Sequence, residues 1–150
     1  MGELLETQIC PSAIQEADDF GWIPLHYAAY MGSVQVVELF LENNNSTAYE
    51  KDRDRTALHL AVENGRRNVV KLFLQELAFR DLINEHDNEG NTAFHLAAIK
   101  GHYALLMMLA DDRRVDRMAI NTVGMTTIDI VQSDKRLMSY EKVSLLMILI

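Results

Sequence analysis

The chain has 150 residues, of which 49% are hydrophobic, and a formal net charge of −8 at pH 7. This length and apolar content fit a single folded domain and argue against global disorder, while the acidic balance leaves no broad basic surface for binding nucleic acid. Cys10 is the only cysteine, so the sequence excludes an internal disulfide and a cysteine-built metal site, and it favours a reducing, cytoplasmic location.

Residues 1–17 are predicted to be either a leader or the remnant of a preceding repeat. Leu4 and Leu5 lie 36 residues before Phe40 and Leu41, a separation close to the repeat period described below. This spacing favours the last turn of an earlier helix, but a disordered leader explains the same stretch. No secretory signal is predicted, because polar residues follow the two leucines at once.

A pattern of one turn and two short helices recurs along the chain. Each copy carries a histidine in the first helix and, six residues later, a glycine that ends this helix: His26 and Gly32, His59 and Gly65, His95 and Gly101. The histidines are 33 and 36 residues apart, and such a period predicts a solenoid of stacked helix pairs. A degenerate copy begins at Asn121, where Asp129 replaces the histidine.

These copies predict units at residues 18–50, 51–86 and 87–120, with the degenerate unit covering 121–131 and onward. Residues 132–150 are expected to form a capping helix or the start of missing sequence. Their last eight residues, VSLLMILI, are apolar but too few to span a bilayer, which takes about 20 residues. We therefore expect no direct membrane insertion by residues 1–150. We expect Leu145, Leu146 and Leu149 to cover the third unit, and the rest of the run to leave apolar surface exposed.

Local chemistry predicts how each unit begins. Gly90 suits a turn with positive φ, and the Thr92 hydroxyl can cap the helix that follows. In the first unit Ile23 replaces this threonine, so a cap is lost, although Pro24 at the first helical position partly compensates. In the second unit Asp54 occupies the glycine position of the turn, where some backbone strain is expected.

The histidines raise the question of a metal site. His26, His59 and His95 occur once per repeat, and stacked helices lie about 8–10 Å apart, whereas zinc ligands lie about 2.0–2.1 Å from the ion. We predict no metal site and a structural role, in which each ring hydrogen-bonds the backbone or threonine of adjacent turns. His86 and His102 are predicted to be exposed.

Carboxylates in the turns could in principle serve acid–base catalysis: Asp18, Asp19, Asp52, Asp54, Asp87 and Glu89. Nothing resembling a nucleophile, a phosphate loop or an oxyanion site accompanies them. The sequence therefore predicts no enzymatic activity, no cofactor and no small-molecule substrate. The mixed charges at residues 111–117 are expected to form a solvated connection.

The motifs PLHYAA, TALHLA and TAFHLAA resemble ankyrin repeats, over roughly residues 18–131. The resemblance implies an all-α ankyrin-repeat solenoid with short β-hairpin-like turns. More narrowly, GWIPLHYAAYMG, YEKDRDRTALHLA, LINEHDNEGNTAFHLAAIKGH and MAINTVGMTTIDIV are similar to plant ankyrin proteins of the accelerated-cell-death type, in which a membrane-spanning PGG domain follows the array. The resemblance covers the ankyrin part only. It implies an array at the cytosolic face of a plant membrane protein in defence or stress signalling.

The same resemblance implies a partner-binding surface along the turn tips and the inner face of the first helices. Carried onto this chain, it comprises Phe20, Trp22, Tyr30, Met31, Asp52, Arg53, Arg55, Glu63, Asn64, Asn88, Glu89, Asn91, Ile99 and Lys100. Other roles stay open, because Trp22 and Tyr30 could instead cover the first helix pair or touch a preceding repeat, and Arg53 and Arg55 could simply be solvated.

The function predicted from this surface is that of a non-enzymatic protein–protein interaction module. The alternative is an intramolecular regulatory or structural spacer that docks on the parent protein's own membrane domain. The partner is accordingly either another protein or a missing domain of the parent, and ankyrin architecture alone does not decide between them.

Overall fold

A computed structural model of the chain describes residues 18, 22–43, 51, 55–76 and 80–150. Within these ranges the chain forms nine helices and no strand, which confirms the predicted all-α class. The helices are α1 Pro24–Met31, α2 Val34–Asn43, α3 Ala57–Glu63, α4 Arg67–Gln75, α5 Arg80–Ile83, α6 Ala93–Ile99, α7 Tyr103–Ala110, α8 Thr127–Ser133 and α9 Ser139–Leu149.

The helices stack as four antiparallel pairs in chain order. The inner helices α1, α3, α6 and α8 each contact the next one, and each also packs against its own outer helix, α2, α4, α7 or α9. The short helix α5 lies in the longer connection of the second unit, where it buries Leu82 and Ile83 in the core. Leu82 and Ile83 of this connection therefore contribute to packing.

The inner row of helices packs through small side chains, and the outer row packs through larger ones. Ala61 and Ala97 of the inner row are fully buried, and their short side chains let neighbouring helices approach closely. In the outer row, Val70, Phe73 and Leu106 are fully buried. Burying each of these larger side chains stabilises the fold by roughly 1.5–3 kcal/mol before conformational entropy is subtracted.

Threonine caps begin three of the inner helices, as predicted for Thr92. The Thr92 hydroxyl accepts a hydrogen bond from the backbone N–H of His95, and Thr56 and Thr126 do the same in their own units. Ile23 supplies no such cap, and Pro24 occupies the first helical position, so both predictions for the first unit are confirmed. Asp54 lies outside the described residues.

The inner helices end in a cross-unit contact that the repeat pattern did not reveal. Arg66 Nε donates to the backbone oxygen of Tyr30 at 2.8 Å, passing over Gly32, where an added Cβ would lie 2.8 Å from Arg66 Cδ. His102 Nε2 makes the same kind of bond to Glu63 O at 3.0 Å. The predicted exposure of His102 is therefore wrong, because this ring spans two units, whereas His86 is exposed as predicted.

Arg136 continues this series in the last unit, where its guanidinium donates to the carbonyl oxygens of Ala98 and Ile99 at 3.1 and 3.0 Å. The side chain is held by Asp134, whose carboxylate lies 2.8 Å away. Hydrogen bonds from Arg136 hold the pKa of Asp134 well below its usual range. The second, third and fourth units are thus each tied to the preceding unit by a cationic or imidazole side chain.

The charged connection at residues 111–117 is not simply solvated, contrary to the prediction. Arg114 donates to the carbonyl oxygens of Leu74 and Glu76 at the end of α4, and it pairs with Asp112 at 2.8 Å. Hydrogen bonding to Arg114 lowers the pKa of Asp112. Helix ends carry unpaired carbonyl groups with partial negative charge, so a guanidinium is well suited to this position.

At the end of α9, the leucines pack against the core and other apolar side chains are exposed, as predicted. Leu149 is buried, and Leu145 and Leu146 pack against the core. Met147 and Ile150, in contrast, are exposed. In the part of the chain that the structure describes, every helix is too short or too polar to cross a bilayer.

Candidate protein-binding groove

An open groove of about 810 Å³ runs along the inner helices of the first three units and the turn of the third. Ten of the predicted binding residues line it: Trp22, Tyr30, Met31, Arg55, Glu63, Asn88, Glu89, Asn91, Ile99 and Lys100. Asn64 does not line the groove, because its side-chain amide donates to Leu60 O at 2.8 Å near the end of α3. Phe20, Asp52 and Arg53 lie outside the described residues.

Three aromatic rings form one wall of the groove. The ring centroid of Trp22 lies 4.8 Å from that of Tyr27 and 5.3 Å from that of Tyr30. Tyr27 and Tyr30 are 45% and 40% exposed, so their faces are available to a ligand. The wall therefore presents a large, rigid apolar surface to the groove, as contact sites that dominate binding energy often do.

Asp18 holds this wall in place. Its carboxylate accepts hydrogen bonds from the Tyr27 hydroxyl and, at 3.0 Å, from the backbone N–H of Trp22. The hydrogen bond to Asp18 is the main cause that raises the pKa of the Tyr27 phenol. The phenol therefore stays protonated, and a carboxylate is positioned at the edge of the aromatic wall.

Tyr27 is a groove residue that the sequence analysis did not predict, although its position in the repeat pointed to the inner face. Tyr27 follows the repeat histidine directly, in the position that Leu60 and Leu96 hold in the next two units. Leu96 also lines the groove. A comparison of this position across the repeats would have marked Tyr27 as an inner-face residue.

The middle of the groove contains a three-residue ion-pair network. Glu63 lies 2.9 Å from Arg55 and 3.5 Å from Lys100, so one carboxylate joins the second and third units. All three side chains keep partial contact with solvent, and exposed pairs of this kind contribute only about 0–1 kcal/mol. Their main effect is to fix the positions of two cations along the floor.

The turn of the third unit forms the rim of the groove. Asp87 is buried, and its Oδ1 atom accepts hydrogen bonds from the backbone N–H groups of Glu89 and Asn91, both at 2.9 Å. Asn91 also lines the groove, but it is only 4% exposed, so little of its side chain faces solvent. Its backbone oxygen accepts from Asp87 N at 2.9 Å, which closes the β-hairpin-like turn and leaves Asn88 and Glu89 at the tip.

The repeat histidines hold this turn against the neighbouring unit. His59 Nδ1 accepts from Thr56 N at 3.1 Å, which assigns the proton to Nε2, and Nε2 donates to Asn91 O at 3.2 Å. His95 bonds Thr92 and Met125 O in the same way. The predicted structural role of these two rings is confirmed.

Burial lowers the pKa of both His59 and His95, so each imidazole is neutral near pH 7. Asp129 reproduces only half of the arrangement, because its carboxylate accepts from Thr126 N at 2.9 Å. Within the described residues, no three histidine, cysteine or carboxylate side chains cluster as metal ligands would.

Stacked helix pairs, hairpin-like turns and an open groove along the inner row define a helical repeat scaffold. The chain belongs to the ankyrin repeat family. The family described as ankyrin repeats (3 copies) matches residues 1–81 and 51–121. Ankyrin repeats indicate a protein–protein interaction module, and proteins of this family are generally non-enzymatic scaffolds.

Curated relatives share the repeats within much longer proteins. The chain is 33% identical over 107 residues to human transient receptor potential cation channel subfamily A member 1, which covers 71% of the chain and 10% of the channel. It is 32% identical over 124 residues to the E3 ubiquitin-protein ligase XBAT33 of Arabidopsis thaliana, and the match covers 78% of this chain and 24% of the ligase. It is 30% identical over 91 residues to the target of rapamycin complex 2 subunit AVO2 of Saccharomyces cerevisiae, and the match covers 59% of this chain and 21% of that subunit. The chain spans a tenth to a quarter of the length of these relatives.

Proposed function

We propose that the groove between Trp22 and Lys100 is the surface through which this ankyrin array binds a protein partner. The observation that supports this most directly is the gathering of predicted inner-face and turn residues from three units into one continuous depression. An open depression shared by three units suits an extended or helical polypeptide better than a small molecule. No nucleic acid, cofactor or small-molecule substrate is proposed as its ligand.

The aromatic end contributes most of the binding energy in this proposal. Exposed Tyr and Trp side chains offer large contact area with few rotamers to immobilise, so they are enriched among residues whose loss weakens an interface by at least 2 kcal/mol. Tyr30 and Met31 lie on the last turn of α1, and Ile99 holds the corresponding end of α6. These side chains provide an apolar strip beside the ion-pair network.

The proposal is tested by comparing what the chain captures in cells with and without its aromatic wall. The wild-type chain, Tyr30→Ala and Tyr140→Ala would each be expressed with an affinity tag, cross-linked, and analysed by quantitative mass spectrometry. Tyr140 is 70% exposed on α9, away from the groove, so it is a matched control. We expect a partner retained by the wild type and by Tyr140→Ala to be reduced at least tenfold for Tyr30→Ala.

Two outcomes would count against the groove. One is a set of captured proteins that does not differ between wild type and Tyr30→Ala. The other is an equal loss for both variants, which would place the effect outside the groove. Circular dichroism of the three proteins shows whether their helix content is the same.

We further propose that the parent of this array is a plant protein of defence or stress signalling, with the array in the cytoplasm at the cytosolic face of a membrane. The proposal rests on the resemblance to accelerated-cell-death type proteins and, for the compartment, on the single cysteine of the chain. Plant and membrane proteins both occur among its relatives, as XBAT33 and the human cation channel show. Membrane fractionation of the full-length parent, with protease protection of the array, tests the membrane association and the side of the membrane on which the array lies.

The alternative is an intramolecular spacer that docks on the parent's own membrane domain. The chain spans only about a tenth of the cation channel to which it is similar, so an array of this kind can be a small part of a much larger protein. Co-expression of the array with the remainder of the parent separates the two roles. Tyr30-dependent binding to that remainder alone favours the spacer, whereas Tyr30-dependent binding to a different protein favours the recognition module.

A further inference from the structure

Charge is distributed unevenly in the groove. Two cations lie on its floor, Arg55 and Lys100, and both are engaged by the single carboxylate of Glu63 at 2.9 and 3.5 Å. The groove also contains the carboxylates of Asp87 and Glu89. Among the described residues that line the groove, three carboxylates therefore accompany two cations, on a chain whose formal net charge is already −8.

The excess negative charge is accessible at the rim. Glu89 is exposed at the turn tip, and within the described part of the chain no cation lies within ion-pairing distance of its carboxylate. Asp18 places a second carboxylate beside the phenol of Tyr27 at the opposite end of the groove. An anionic segment entering the groove would meet repulsion at both ends.

The aromatic wall also favours a cationic partner. The face of an aromatic ring carries partial negative charge, and it attracts a guanidinium or ammonium within about 6 Å of the ring centroid. The ring centroids of Tyr27 and Tyr30 lie 4.8 and 5.3 Å from that of Trp22, and both tyrosines are partly exposed, so a cation at this wall has ring faces within reach. Arginine fits such a wall best, because its planar group stacks on aromatic rings.

We infer that the partner of this groove is a basic peptide segment, which stacks an arginine side chain on Trp22 and its two tyrosines and directs a second cation towards Glu89. The inference rests on the proposed function, and it adds the chemistry of the partner. Attraction between the acidic chain and a basic segment also speeds encounter, so association slows as ionic strength rises.

The test is selection of a random twelve-residue peptide library displayed on phage against the immobilised chain. Counter-selection uses Trp22→Leu and Glu89→Gln, which keep an apolar or polar side chain at each position. Tyr140→Leu and Glu38→Gln are the matched controls, because both residues are exposed on outer helices. Synthetic peptides of the consensus are then measured with arginine and with citrulline, which has nearly the same shape but no charge.

The inference expects enriched peptides with arginine or lysine at fixed positions. Their affinity should fall about three- to tenfold for Trp22→Leu and for the citrulline peptide, as expected for loss of a partly exposed cation–π contact, and it should be unchanged for both controls. Raising the salt concentration from about 50 to 500 mM should slow association with Glu89→Gln less than with the wild type.

Other outcomes overturn the inference and locate the failure. A consensus of acidic or purely apolar residues that still depends on Trp22 would refute the basic partner and leave the groove proposal standing. Basic peptides that bind all variants equally would show that general surface charge captures them. Selection that yields no groove-dependent peptide contradicts the proposed function itself and the inference with it.

Discussion

Gly90 lies where the turn of the third unit contacts the turn of the fourth, and its replacement by alanine tests how these two units are held together. Its φ is 76°, and an added Cβ would lie 2.8 Å from Thr122 N and 3.0 Å from Asn121 Cα. Gly124 holds the same turn position in the next unit with φ of 79°, but nothing lies within 4 Å of its added Cβ. Gly124→Ala therefore measures backbone strain alone.

The difference between the two variants isolates the contact between turns. Left-handed backbone costs alanine about 1–2 kcal/mol at either position, so this contribution cancels. At Gly90 the turn must also move away from backbone atoms, which disrupts the hydrogen bonds that Glu89 O accepts from Thr122 N and Oγ1, both at 2.9 Å. At about 0.5–1.5 kcal/mol for each bond, Gly90→Ala should be less stable than Gly124→Ala by about 1–3 kcal/mol.

Urea denaturation followed by circular dichroism gives the free energy of unfolding of each variant. Amide exchange at Thr122 adds a local measurement, which matters because a repeat array gains its stability unit by unit and interface by interface. Equal loss of stability in the two variants, with unchanged exchange at Thr122, would refute the claim that the turns support one another.

Three further predictions concern the contacts between and within units. Burial lowers the pKa of His59 and His95 from the usual 6.5, so the unfolded chain binds protons more readily than the folded chain. The free energy of unfolding should therefore be highest above about pH 6.5 and fall towards pH 5.5. A urea midpoint that did not fall over this range would contradict the prediction. Arg66→Met should lose about 0.5–1.5 kcal/mol of unfolding free energy through its bond to the first unit, whereas Arg67→Met on the exposed side of α4 should not, and equal losses would exclude this role. Thr92→Ala should lower the free energy of unfolding by about 1–2 kcal/mol, measured by the same urea denaturation. Thr92→Ser should keep most of the wild-type stability if the hydroxyl cap is the cause.

Repeat spacing and local chemistry predicted most of the fold. The period set by His59 and His95 predicted stacked helix pairs, and the threonine position predicted where three inner helices begin. These features depend on residues within a few positions of one another, so they are visible along a single chain. The alternatives left open for Trp22 and Tyr30 could not be decided in this way, because a ring's neighbours depend on how helices pack.

The errors in the sequence predictions share one physical cause. His102 and Arg114 are polar residues in connections, and local patterns predict solvent exposure for such residues. Each instead bonds a backbone carbonyl group of another unit, more than 25 residues away along the chain. Only the stacking distance between units brings those carbonyl groups within reach.

The sequence by itself determined the repeat unit of this protein: its helices, its caps, its turn glycines and the structural role of its repeat histidines. Tertiary structure alone decided the groove, because its aromatic wall, its ion-pair network and its acidic rim come from units about 33 residues apart. Capping and turn formation depend on neighbouring residues in the chain. The shape and charge of a binding surface depend on the distance between stacked units, which packing of the complete array sets.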